Sequence, residues 1–109
     1  MKNTNPHAKH NNPFKQSIWF HSPSHAWLAI PRELLKKHNL EDKISSFSYQ
    51  QKHIDGTPIV FLEEDCDAPL FINWLGKEKY VIAYSNGWIK SIEVNDKFFE
   101  WATSYNQSL

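Results

Sequence analysis

A chain of 109 residues is one domain with one core. Its five tryptophans, seven phenylalanines and four tyrosines can fill that core although the mean hydropathy is −0.61. Twelve Lys/Arg balance twelve Asp/Glu, which weighs against a dedicated nucleic-acid binder with its surplus of basic side chains.

No apolar run is long enough to span a bilayer, and the first residues lack the apolar stretch of a secretory signal. A single cysteine cannot close an internal disulfide. These features imply a cytoplasmic protein that does not enter a membrane. The zero net charge covers an asymmetry. Residues 1–55 hold eight Lys/Arg against four Asp/Glu, and residues 56–109 hold four against eight, so the halves carry +4 and −4. Interleaving of the halves would give a merely mixed surface, the expected case; separation would give an acidic face and a basic one.

Residues 1–14 form a polar stretch with almost nothing to bury, expected to be a disordered arm. A single α+β domain is expected over residues 15–109. Ser17–His21 reads as a first strand, Ser22-Pro23-Ser24 as a turn and His25–Ile30 as a second strand. Pro31 suits the first position of a helix running to about His38, with Leu34 and Leu35 inward and Asn39 as a left-handed cap. Phe47 and Tyr49 share one side of a strand placed at about Ser46–Lys52, and Asp55-Gly56 signals a hairpin into Ile59–Glu63.

Asp67 is a candidate N-cap for a helix over Ala68–Leu75, which Gly76 ends. Lys79–Tyr84 alternates weakly and reads as a strand. Asn86-Gly87 reads as a type I′ turn returning into a strand over Trp88–Val94. A short helix is expected from Lys97 to about Ser104, with Phe98, Trp101 and Ala102 or Tyr105 facing in. The approximate order is ββαββαββα, short helices on a mostly antiparallel sheet.

The densest chemistry is Glu63-Glu64-Asp65-Cys66-Asp67, where a core strand hands over to a helix. Cys66 near a helix N-terminus could serve as a thiol nucleophile, with His21, His25, His38 or His53 as its base. Its acidic neighbours oppose a thiolate, and a buried structural cysteine is the expected state. His21 and His25 could join Cys66 or Asp67 in a mixed zinc site, although no paired ligand motif is present. The carboxylates could hold a divalent cation or act as acid and base, but neither a calcium loop nor a sugar-cleft pattern occurs. Negative charge beside a helix N-terminus accounts for them more simply. Of the tryptophans, Trp88 beside the Asn86-Gly87 turn is the one expected at the surface.

Ser24-His25-Ala26-Trp27-Leu28, Ile30-Pro31, Ile44-Ser45, Tyr49 and Phe61-Leu62-Glu63-Glu64-Asp65-Cys66-Asp67-Ala68 together resemble a pattern, SHGWL-x-VP…IS-x-YSY…YLEEDCDA. It belongs to a family of small bacterial proteins that travel with phages and plasmids and have no established activity. The likeness covers roughly Ser22 to Trp74. Ala26 stands where the family has glycine and Phe61 where it has tyrosine. The resemblance implies a shared fold and a mobile-element setting, and it carries no mechanism.

These residues point to a non-catalytic binding module, with no cofactor and no metal, that docks on a protein partner. The candidate binding residues are Glu63, Glu64, Asp65, Asp67, Trp88 and His25. A small hydrolase or metal-dependent enzyme built on His25, Cys66 and the carboxylates is the rival. A second rival is nucleic-acid binding through Lys9, Lys15, Arg32, Lys36, Lys37, Lys43 and Lys52. The sequence does not fix the oligomeric state.

Overall fold

The computed structural model describes residues 8–100 and 102–106. Among these residues six strands form one sheet: β1 (Ile18–His21), β2 (Ala26–Pro31), β3 (Tyr49–Lys52), β4 (Pro58–Glu63), β5 (Lys90–Glu93) and β6 (Thr103–Ser104). Their spatial order is β5-β1-β2-β4-β3-β6, and every pairing is antiparallel except the parallel β1–β5. Three α-helices lie among the described residues: α1 (Arg32–Lys37), α2 (Asp67–Leu75) and α3 (Lys77–Ser85). The chain is thus an α+β protein with short helices and a mostly antiparallel sheet.

The pleat sorts the strand residues into two layers. Leu28, Ile30, Val60 and Leu62 lie in one cluster with Phe14, Leu35, Phe71, Leu75 and Ala83, so the helices cover this face. Burying each large aliphatic side chain there contributes about 1.5–3 kcal/mol. Trp27, Ala29 and Phe61 face the other way, with Ile18, Phe20, Tyr49 and Ile59, under Phe98 and Phe99. No helix covers that second face among the described residues. The turn segment after β5 does.

The first two thirds of the chain follow the sequence pattern. Asn39 takes φ 58 after α1, and the amide of Leu40 reaches the carbonyl of Leu35 at 2.8 Å, so buried Leu40 folds back on the helix. Asp55-Gly56 turns the β3–β4 hairpin, with the amide of His53 bonded to the carbonyl of Thr57. Pro31 differs. It ends β2 with ψ 135 and stands just outside α1 rather than in its first turn.

The last third departs further. Lys79–Tyr84 is not a strand but lies inside α3. Tyr80 and Ala83, three residues apart, both meet the helix-side core, and that packing outweighs the β-branched character of Val81 and Ile82. Asn86-Gly87 does not turn a hairpin. Gly87, at φ 70, closes α3: its amide bonds to the carbonyl of Tyr84 and that of Trp88 to the carbonyl of Ala83. Both motifs need glycine at positive φ, so the dipeptide alone could not separate them. The strand that follows is shorter than expected and pairs with β1. The expected C-terminal helix is replaced by turns over residues 97–100 and by β6; Trp101 lies outside the described residues.

The expected arm also changes. Met1–His7 lie outside the described residues. Lys9–Asn11 form a 3-10 turn, and buried Asn12 donates its side-chain amide to the carbonyl of Lys79 at 2.9 Å. Phe14 is fully buried, edge-on to Phe71 and Tyr80. Packing therefore reaches back past the boundary expected at residue 15.

Candidate functional site

Glu63 is the last residue of β4, Glu64–Cys66 turn, and Asp67 opens α2. Strand alternation distributes the acids. Glu63 stands opposite Trp27 in the β2–β4 register, on the aromatic face. The next residue, Glu64, bonds its amide to the carbonyl of Ala26 at 3.1 Å and lines a groove on the helix face. At the strand end the two directions close up again. Carboxylate oxygens of Glu63, Glu64 and Asp65 lie within 4.8 Å of one another. The three acids make a ridge across the end of the sheet.

Asp67 is not part of that ridge. Its side chain is buried and turns inward, so its expected place in an outer contact surface is corrected. Nor does it cap α2 from outside, since it is itself the first helical residue. Its carboxylate accepts the amide of Ser45 at 3.1 Å and the hydroxyls of Ser45, at 2.7 Å, and Ser48. Ser48 Oγ in turn accepts the amide of Glu63 at 3.0 Å. Asp67 therefore ties the loop before β3 to the junction of β4 and α2. The turn formed by Ser45–Ser48 also delays β3, which begins at Tyr49 rather than Ser46.

A groove lies on each side of the ridge. On the aromatic face, His25, Trp27, Phe47, Tyr49, Glu63, Asp65 and Cys66 line an open cleft of about 340 Å³. Phe47 is 66% exposed there. Trp27 is buried between neighbours, 4.2 Å from Phe99 and 5.6 Å from the His25 ring, centroid to centroid. On the helix face, Trp19, His21, Ala26, Glu64, Tyr80 and Tyr84 line a second cleft of about 280 Å³. Trp19 stacks on His21 and donates its indole N–H to the Tyr80 hydroxyl at 2.9 Å. Burial pushes the Tyr80 phenol up. Among the described residues, neither groove is lined by a lysine or an arginine.

His25 and Cys66 do share the first groove. The thiol there is exposed rather than buried, which corrects the structural role expected for it. Local desolvation pushes the Cys66 thiol up, and so do its hydrogen bond to Glu63 and the charges of Glu63, Asp67 and Asp65. All of these work against a thiolate nucleophile. Glu63 is further engaged by the Asp65 amide at 2.9 Å. Among the described residues, potential metal ligands gather in threes only at Glu63, Glu64 and Asp65, without a histidine or Cys66. The mixed histidine–cysteine zinc site is therefore not assembled.

Comparison with family models, with curated proteins and with solved structures finds no match to this chain. The site must be judged on its own geometry.

Trp88 is displaced from the candidate set. It packs half-buried against the helix-side core, while Trp74, at 62%, is the exposed tryptophan among the described residues. Trp74 falls on the outer side of α2, away from buried Ala68, Phe71 and Leu75. The aromatic lining of the grooves was missed as a unit. Its members come from three segments distant in sequence: His25 and Trp27, Phe47 and Tyr49, and Glu63 and Asp65. The pairing of β2 with β4 and of β4 with β3 brings the three pairs together.

The basic residues sit elsewhere. Arg32, Lys36 and Lys37 line a cleft together with Glu33, Glu41 and Pro58. Arg32 is already committed: it donates to Glu41 at 2.9 Å and to Gln50, and lies 4.8 Å from the ring centroid of Tyr105.

Proposed function

We propose that this protein is a non-catalytic docking module whose acidic ridge and flanking aromatic grooves bind a positively charged surface of a protein partner. The observation that carries this is the meeting of two aromatic-lined clefts at the Glu63–Glu64–Asp65 carboxylates, with no lysine or arginine among the described residues of either lining. Aromatic side chains supply contact area at low entropic cost, and the acids supply orientation and a faster encounter. His25 stands at the rim of the first groove. Asp67 holds the platform rigid from within.

The enzyme alternative draws support from the shared groove of His25 and Cys66, but the raised thiol pKa opposes it. The nucleic-acid alternative is weakened because Arg32 is spent on internal contacts and its cleft is lined by Glu33 and Glu41 as well. No helix among the described residues is long and apolar enough to cross a membrane. In the phage or plasmid setting implied by the resemblance, a suitable partner is a host defence or nucleic-acid-handling protein whose phosphate-binding surface the acids would occupy.

The test is affinity capture from the native cell with wild type and a Glu63→Lys/Glu64→Lys variant, followed by titration of the purified partner. Docking through the ridge requires that the variant lose the partner. Equal binding by both proteins removes the ridge as the determinant.

A further inference from the structure

We infer that the groove lined by Trp27, Phe47 and Tyr49 seats an arginine side chain of that partner, an inference that rests on the docking proposed above. Two features of the groove converge on this ligand.

The first is the pairing of ring surface with negative charge. Phe47 is two-thirds exposed, and Tyr49 and Trp27 line the same cleft. Asp65 and Glu63 line the same cleft. A guanidinium is planar and weakly hydrated, so it stacks on a ring while its N–H fork meets a carboxylate. An ammonium is a strongly hydrated point charge and uses the ring less well.

The second is the state of the carboxylates. Glu63 already accepts the Asp65 amide through both oxygens. Asp65 is exposed and accepts no hydrogen bond among the described residues, which leaves it the freer partner for an incoming fork.

A volume of about 340 Å³ leaves room for one long side chain and part of the backbone that carries it.

The test is calorimetric titration of the full chain with capped peptides of alternating glycine and arginine, and with matched glycine–lysine peptides. The arginine peptide should bind several-fold more tightly than the lysine peptide. Phe47→Ala and Asp65→Asn, both exposed positions, should each weaken it about three- to tenfold. Ile54→Ala, at the remote β3–β4 turn, should leave it unchanged. Equal affinity for the two peptides, no binding of either, or indifference to both groove variants overturns the inference. The docking itself is judged separately. If the arginine peptide fails but Glu63→Lys/Glu64→Lys still loses the cellular partner, the ridge docks by other means. If the charge-reversed protein keeps its partner, the docking falls as well.

Discussion

Asp67 shows how one acid in a run of acids acquires a different task from its neighbours. Glu64 and Asp65 keep their carboxylates at the surface, whereas Asp67 turns into the protein and receives the Ser45 and Ser48 hydroxyls. Asp67→Ala leaves those donors unanswered at a buried site and should cost on the order of 1–3 kcal/mol in urea unfolding. Glu64→Ala should change stability by less than about 0.5 kcal/mol. Similar losses for the two would mean that Asp67 is not the internal tie. Cys66 offers a second residue-level check. Its thiol is held above the ordinary value of 9.0, so at neutral pH less of it is thiolate than for an unperturbed cysteine. Alkylation by iodoacetamide should therefore be slower than for a free cysteine at pH 7 and should climb only at alkaline pH. Asp65→Asn removes one repelling charge and should shift that climb to lower pH. Rapid alkylation of the wild type at pH 7 would instead reveal an activated thiol and revive the hydrolase alternative.

At the scale of elements, the loop after α3 decides how the last third is built. Gly87 at φ 70 lets α3 end and the chain cross to the far edge of the sheet. Apart from its chain neighbours, no atom of the described residues lies within 4 Å of a β-carbon placed there, so Gly87→Ala meets no clash, only the strain of positive φ. It should cost about 1 kcal/mol in thermal or denaturant unfolding, and an unchanged midpoint would contradict the assigned cap. Elements held by local signals were legible in the sequence: the strand–turn–strand of Ile18–Pro31, the α1 stop at Asn39, the Asp55-Gly56 hairpin and the Gly76 break. Elements decided by distant contacts were not. Whether Lys77–Ser85 coils depends on Phe14 and Trp19 receiving Tyr80. Whether Trp88 is exposed depends on where Gly87 sends it. The acidic part of the candidate site was legible for the same reason, since it is contiguous in sequence. The aromatic part was not, because β2, β4 and the loop before β3 bring it together across the sheet.

For the whole molecule, strand register sends some of the charges to opposite ends of the sheet, drawing on both halves of the sequence. Trp27 opposite Glu63 and His21 opposite Glu93 mark one end of the sheet; Pro31 opposite Ile59, Lys52 opposite Pro58 and Ile18 opposite Lys90 mark the other. Arg32, Lys36 and Lys37 follow from the second end but are interspersed with Glu33 and Glu41. The acid end, by contrast, sets its carboxylates between aromatic grooves. A partner drawn to that end should bind more weakly as salt rises, because exposed charges are screened. The most direct measurement is a hydrogen-exchange footprint of the purified complex. Docking through the ridge is expected to slow exchange at residues 45–49 and 63–66 and leave Arg32–Lys37 unchanged. Protection confined to Arg32–Lys37, with the ridge exchanging as in the free protein, would contradict it.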